Sequence, residues 1–320
     1  YFNFLDMRDS SEKQIFFVPW YACNFSCSYC YQSGYDNQRS ALNVEIIDAF
    51  FEYVNKNITG KKYITLFGGE PLLDSIHARD IIKYFLQKAK ENNLSAAIVT
   101  NGYTLESYID ILKNFFIREI QVTLDGIADV HNKRRYTKDH GPTFDAIVKG
   151  IDMALENNIP INLRMVVDAE NIDNLPELAS FAIEKKWTDN PLFKTQIGRN
   201  YELHYCQKSG SNLYTRVELY EDIYKMLKVH PEIMEFHKPA FSISKFLFEK
   251  DFIVEQQKRV KTTLSTDFYM GENLIDLTKY NPFYLDMIFK AILYFEPFVL
   301  QGGLKIQDFK LKENEFRMSP

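Results

Sequence analysis

Cysteine is scarce in this chain, with four in 320 residues. That is too few for a disulfide framework, and three of the four crowd into one octapeptide, too close together to pair sensibly. A reducing compartment and a cytoplasmic location fit this usage. Glycine and proline are also few, 13 and 11, while apolar residues make up 46%, which excludes a disordered or low-complexity chain. Positive charge is not in excess. The formal net charge is −5, so electrostatics give no argument for DNA, RNA or an anionic membrane as partner. The short basic cluster Lys133, Arg134, Arg135 and Lys138 reads as a solvated loop. Long apolar runs are missing too. The most apolar late stretch, "FYLDMIFKAILYFEPFVL", is broken by Asp286, Lys290, Glu296 and Pro297 and reads as a buried or amphipathic helix, not a membrane span. No signal-peptide pattern is visible, and because the sequence opens on Tyr1 instead of Met, residues are expected to precede it.

What is present alternates between strand and helix. The segments "QIFFVPW", "YITLF", "AAIVT", "EIQVTL", "INLRMVV" and "FKTQI" read as strands. Asn43 suits the N-cap of a helix whose Ile46, Ile47, Phe50, Phe51 and Val54 form one stripe. Further helices are expected over about residues 75–92 and from about Leu105. Thr143 is read as the cap of a helix with Phe144, Ile147, Ile151 and Ala154 on one side. Asn174 and Glu177 resemble a capping box ahead of Leu178 and Phe181. Strand–helix units repeated in this way predict an α/β fold with a parallel sheet and helices outside. Periodicity does not tell an open sheet from one that curls into a barrel. In both, functional loops sit at the C-terminal ends of the strands, and "CNFSCSYC", "GGEP", "TNG" and "DG" all fall there. Beyond about residue 210 the alternation stops, and residues 216–229, 232–249 and 283–295 read as helices. Two regions are therefore expected: 1–210, and a mostly helical C-terminal extension over 211–320.

Cys23, Cys27 and Cys30 stand at C-x3-C-x2-C spacing, which lets three thiolates converge on one centre from one loop. Structural zinc wants four ligands, so Cys206 or a histidine would have to close the site. An iron–sulfur cubane usually takes four cysteines, and one held by three leaves an iron open to a small molecule. Three unrelated buried cysteines are the remaining reading. Cys206 in "LHYCQ" reads as a buried or inert thiol, and the six histidines show no metal spacing. In "GGEP", Gly68 and Gly69 let the backbone pass close to a ligand. Glu70 can accept hydrogen bonds from an ammonium, or is an exposed residue of a tight turn. Arg164 faces the inside or the outside of the sheet depending on register, and if buried it needs a carboxylate partner.

The pattern C-x3-C-x-aromatic-C resembles the signature of the radical S-adenosylmethionine (SAM) superfamily. Cys23, Cys27 and Cys30 match the cluster ligands, and Tyr29 matches the aromatic residue. Three more motifs follow in the family's order: "LFGGEPLL" with Gly68, Gly69, Glu70 and Pro71, "TNGYTL" with Asn101, and "VTLDGIADVHNKRR" with Thr123 where serine is usual. The resemblance covers about residues 14 to 200. It implies a partial (β/α)6 TIM-like barrel and one [4Fe-4S] cluster on the three cysteines, with SAM on the fourth iron. It also implies reductive cleavage of SAM to methionine and a 5′-deoxyadenosyl radical, which takes hydrogen from a substrate. An electron donor such as a flavodoxin or ferredoxin goes with that chemistry. Tyr29, Gly68, Gly69, Glu70, Pro71, Asn101, Thr123 and Arg135 are the cofactor-binding residues it suggests, Glu70 for the amino group of SAM. Arg164 joins them because a buried arginine needs a carboxylate partner, which SAM would supply.

Taken together, the motifs are most similar to the peptide- and protein-modifying branch, so a peptide or protein substrate is expected. Members of that branch usually carry a cysteine-rich C-terminal extension, called SPASM, for auxiliary clusters. Here Cys206 is the only cysteine after Cys30, so no auxiliary cluster of the usual four-cysteine type can form. The alternatives are a radical SAM enzyme acting on a small molecule, a non-catalytic scaffold or binding protein with the same fold, and a zinc-binding structural domain.

Overall fold

The computed structural model of the protein describes residues 12–30, 32, 42–200 and 212–237. Within them lie six parallel strands: β1 (Lys13–Phe17), β2 (Lys62–Leu66), β3 (Ala96–Thr100), β4 (Ile117–Thr123), β5 (Ile161–Val167) and β6 (Phe193–Arg199). They pair in chain order, β1 to β6. The crossovers carry α1 (Val44–Asn57), α2 (Ile76–Glu91), α3 (Leu105–Leu112), α5 (Phe144–Glu156) and α6 (Leu175–Glu184), and a short α4 (Ala128–Arg134) sits between β4 and α5. Strands added in order through right-handed crossovers put every helix on the same face. The sheet is an open, partial barrel with its helices outside, as the sequence implies.

Alternation along the strands then sorts side chains. The helix-facing set, Ile64, Leu66, Ile98, Ile120, Val122, Leu163 and Met165, is buried, and each such side chain contributes about 1.5–3 kcal/mol on leaving water. The register places Gln121 beside Asn162, Thr123 beside Arg164, and Arg164 beside Gln196 on the opposite, inner face. That face is polar. Gln14 donates to Thr65 (2.8 Å), and Gln121 donates to Gln196 (2.6 Å).

Asn43 caps α1 as the sequence reads, and Ser75, read only as the start of a helix, caps α2. Asn43 Oδ1 accepts from Ile46 N (3.1 Å), and Ser75 Oγ accepts from Ala78 N (3.1 Å). On α1, Ile47, Phe51 and Val54 are buried, but Ile46 is 49% exposed and lies off the stripe. Phe17 of β1 stacks on Phe85 of α2 at 4.7 Å between centroids and touches Phe50 of α1, which fixes both helices against the first strands.

Two expected caps are corrected. Thr143 stands at the N-cap of α5 but its hydroxyl donates to Arg135 O (2.7 Å), and Asn132 Oδ1 caps the helix instead by accepting from Thr143 N and Phe144 N. Asn174 and Glu177 make no capping box: Asn174 Oδ1 accepts from Ile127 N (2.7 Å), while its amide donates to Glu177. A capping box does occur at Thr215 and Glu218, which the sequence reading passes over.

The chain divides into two compact units, Tyr1–Leu213 and Tyr214–Pro320. Within the second, α7 (Arg216–Leu227) and α8 (Glu232–Phe236) are described, with Leu219, Ile223, Ile233 and Phe236 buried. The remainder of the helix expected over 232–249, the helix expected over 283–295, and Cys206 lie outside the described residues. Among the described residues no helix is long and apolar enough to cross a membrane.

Candidate cofactor site

The four motifs meet at the C-terminal edge of β1 to β4, where backbone and side-chain hydrogen bonds knit them together. The loop after β2 lies on the chain after β1: Gly69 N donates to Trp20 O (3.1 Å) and Glu70 N donates to Ala22 O (2.8 Å). The Trp20 indole donates to Glu70 O (2.5 Å). Here the two glycines have a reason other than ligand approach. A Cβ on Gly68 would stand 2.6 Å from Trp20 O, and one on Gly69 would stand 2.2 Å from Ala22 O. The protein's own backbone fills that space.

Glu70 is fully buried, which rules out the exposed-turn alternative. Its Oε1 accepts from Leu72 N (2.8 Å) and Thr100 Oγ1 (2.6 Å), and its Oε2 accepts from Asn101 N (2.6 Å). A carboxylate has about four acceptor sites, so one on Oε2 remains for a cation. Burial pushes the Glu70 carboxyl above its ordinary range, and the three donors pull it back only in part. Pro71 is buried beside it. Asn101 continues the chain of contacts into the cysteine loop: Nδ2 donates to Asn24 Oδ1 (2.7 Å) and lies 3.9 Å from Cys23 Sγ.

The cysteine loop is held from its other side by the segment after α4. Ser28 N donates to Arg134 O and Ser26 N donates to Tyr136 O, each at 2.9 Å. Phe25, which is buried, bridges to Thr137. Tyr29 donates its phenol proton to Asp125 Oδ2 (2.5 Å) and accepts from Arg135 Nη1 (2.8 Å). Burial holds that phenol well above its ordinary range, so it stays a donor. Tyr29 therefore anchors the loop that bears the cysteines.

The basic cluster is not a solvated loop. Lys133 and Lys138 are exposed, but Arg134 and Arg135 are buried. Arg134 grips Asp168 with two bonds (3.0 and 2.8 Å) and also meets Asp125 and Glu170. Sequence reading missed Asp125, Asp168 and His131 as organisers. Asp125 is fully buried and accepts from Tyr29, Arg134 and Val166 N (3.0 Å). His131 Nδ1 accepts from Asp125 N (3.1 Å). Because the Thr143 proton goes to Arg135 O, His131 Nε2 must donate to Thr143 Oγ1 (3.1 Å). The ring is thus a neutral Nε2–H tautomer. Burial, with Arg135 and Arg134 nearby, pushes its pKa well below the ordinary value. The signal in the sequence was His131 and Arg134 at i and i+3, which share one face of α4, with Arg135 at its C-cap.

Thr123 and Arg164 are register partners on the inner face. Thr123 is buried. Arg164 Nε is buried without a hydrogen-bond partner, as is Asn162 Oδ1. Gly198 makes room for the guanidinium, since a Cβ there would lie 2.9 Å from Arg164 Nε.

Cys23, Cys27 and Cys30 are not bridged by disulfides and are partly exposed. Burial raises the Cys23 thiol to about 11 and also raises Cys27, so as free thiols both are protonated at neutral pH. Among the described residues no three His, Cys, Asp or Glu side chains gather as a set for one metal ion. In a cubane each cysteine binds a different iron, so the three sulfurs need not meet at one point. The donor set, three soft sulfurs on one loop beside an uncommitted acceptor site of Glu70, fits a cluster with a small-molecule ligand.

A parallel partial barrel with a three-cysteine loop at the C-terminal strand edge defines an enzyme class built around an iron–sulfur cluster. Residues 17–182 match the radical SAM superfamily, and the chain belongs to that superfamily, whose cofactors are a [4Fe-4S] cluster and SAM. A probable GTP 3′,8-cyclase of Sulfurisphaera tokodaii is 27% identical over 264 residues, 81% of this chain and 75% of that protein. A GTP 3′,8-cyclase of Campylobacter jejuni subsp. doylei is 30% identical over 168 residues. That match covers 51% of this chain and 50% of the relative, about half of its length. The solved structure of native anSMEcpe with bound AdoMet and Cp18Cys peptide superposes with a TM-score of 0.54 at 17% identity, over 68% of this chain and 60% of that one. At that identity the likeness speaks for the fold alone.

Proposed function

We propose that this radical SAM enzyme removes a hydrogen atom from a polar small molecule held against the inner face of β4 to β6, with Cys23, Cys27 and Cys30 as the cluster ligands. When bound, the reduced cluster supplies the electron that cleaves SAM to methionine and a 5′-deoxyadenosyl radical. The chain's own residues bind and orient. Glu70 takes the SAM ammonium at the acceptor site left on Oε2, and Arg164, lacking an acidic partner among the described residues, takes the SAM carboxylate. Thr123 offers a hydroxyl to the nucleoside. Gly68, Gly69 and Pro71 hold Glu70 in place, Asn101 ties it to the cysteine loop, and Tyr29 and Arg135 support that loop. The single observation that carries the small-molecule reading is the polar inner face, where Asn162 Oδ1 is buried without a donor. Buried polar groups are nearly always partnered, so a donor from a substrate answers it. The names of the two relatives support the same reading.

A peptide or protein substrate is the second reading, favoured by the similarity of "GGEPLL", "TNG" and "LDG…H…R" to the peptide-modifying branch. Under either, an electron donor such as a flavodoxin or ferredoxin and a cytoplasmic location suit an oxygen-labile cluster. We assign residues 1–210 to the radical SAM barrel and 211–320 to a separate C-terminal extension. The test is 5′-deoxyadenosine formation by the anaerobically reconstituted protein, challenged with cell extract split by size. Stimulation by the metabolite fraction is expected. Stimulation by the peptide and protein fraction alone would overturn the small-molecule reading.

A further inference from the structure

Arg135 is a cation that the fold sets beside the cysteine loop with no carboxylate in ion-pair contact among the described residues; Asp125 reaches it only through the Tyr29 phenol that bonds both. The loop and the segment after α4 run antiparallel, with Ser28 bonded to Arg134, Ser26 bonded to Tyr136, and Phe25 paired with Thr137. That register sets Cys27 opposite Arg135, and opposed residues of an antiparallel pair have Cβ atoms about 4.5–5.5 Å apart. The two neighbouring arginines differ in what they meet. Arg134 is matched by Asp168, Asp125 and Glu170. Arg135 is only 9% exposed, yet it donates to one neutral phenol, Tyr29, and leans on the rings of Phe25 (5.8 Å) and Tyr29 (6.0 Å). Its Nε is buried without a partner, and among the described residues no carboxylate forms an ion pair with it. Arginine keeps its charge in proteins, and a buried charge without a direct ion-pair partner is unfavourable; Asp125, one phenol away, offsets it only in part. The site is therefore built for an anion on the side of Cys27.

Resting on the cluster assignment above, we propose that Arg135 is the counter-charge of the iron–sulfur cluster and sets its reduction potential. Three thiolates around a doubly charged core leave the oxidised cluster anionic, and the added electron makes it more so. A fixed cation across the ladder stabilises the reduced form more than the oxidised one, because net charge and hydrogen bonding are what tune such clusters. Arg135 is on this account a positioning and tuning residue rather than a contact to SAM.

The experiment is a potentiometric titration, followed by electron paramagnetic resonance, of the anaerobically reconstituted full chain without SAM. In Arg135→Gln the ratio of reduced to oxidised cluster at a fixed potential is expected to fall about tenfold, a shift of about 59 mV to more negative potential for one electron. Arg135→Lys keeps the charge and is expected to restore the wild-type potential. An unmoved potential in a fully loaded Arg135→Gln, with weaker SAM binding, would overturn the proposal and make Arg135 a SAM ligand. If the Gln variant takes up no cluster, Arg135→Lys decides: a loaded variant with native potential supports the charge role, and loss of the cluster there too overturns it in favour of shape. Wild-type protein that takes up no iron and sulfide overturns the cluster assignment itself, a result distinct from a loaded protein whose potential does not respond.

Discussion

At Glu70 one buried carboxylate answers donors from two loops, Leu72 N on its own and Thr100 Oγ1 and Asn101 N on the next. The residue thus ties the two loops together. Glu70→Gln turns one acceptor into a donor beside the Asn101 or Thr100 group. The expected loss is about 1.5–3 kcal/mol of stability, the range for hydrogen bonds to a charged group, together with weaker SAM binding. Denaturant midpoints and SAM affinity of the same variant check this, and an unchanged midpoint would contradict it. His131 gives a pH test. Its folded-state pKa is depressed, so the unfolded chain binds the proton more readily. Stability is full above the unfolded value, about 6.5, and falls as pH drops below it. The slope approaches about 1.4 kcal/mol per pH unit. The groups facing the ring are Asp125 N, Thr143 Oγ1, the Phe144 ring and the two arginines, none of which offers the charged imidazole an anion. Urea midpoints measured from pH 7 to 5.5 should fall less steeply in His131→Gln than in wild type, and parallel curves would contradict the assignment.

Among the elements, the short α4 carries most of what the sequence concealed. Residues 96–100 and 161–167 are read as strands with the bounds the structure gives, because buried strands of a parallel sheet announce themselves as apolar runs. Asn43 acts as expected because capping is a local bond. Thr143 and Asn174 do not, because their side chains answer partners that are distant in sequence, Arg135 O and Ile127 N. The run from Lys133 to Lys138 reads as solvated by composition, yet Arg134 is buried among three carboxylates from β4 and β5 loops that no local pattern brings together. Asp125 joins the cysteine loop, α4 and β5 at one point. Asp125→Asn leaves Arg134 and Tyr29 short of a charged acceptor in the interior. About 3–5 kcal/mol of lost stability is expected, as for breaking a buried pair, read from thermal unfolding. A loss below about 1 kcal/mol, the range of a surface pair, would show that Asp125 does not join these elements.

For the whole molecule, the motifs and their order told the fold and the cofactors, because each motif sits at a strand end where a parallel barrel must place its site. The substrate was less legible. It depends on the inner face of β4 to β6, whose polar lining emerges only when the register sets Gln121, Asn162, Thr123 and Arg164 side by side. The central claim is that one cluster sits on the loop of Cys23, Cys27 and Cys30 and uses no cysteine from elsewhere. The most direct measurement compares iron, sulfide and 5′-deoxyadenosine formation in wild type, Cys27→Ala and Cys206→Ala, all reconstituted anaerobically. About four irons per chain and SAM cleavage are expected in wild type and Cys206→Ala. Cys27→Ala should lose both, because water is a poor substitute for a soft thiolate at an iron. If Cys206→Ala loses its metal as completely as Cys27→Ala, four protein ligands close the site, no iron is left for SAM, and the account is wrong.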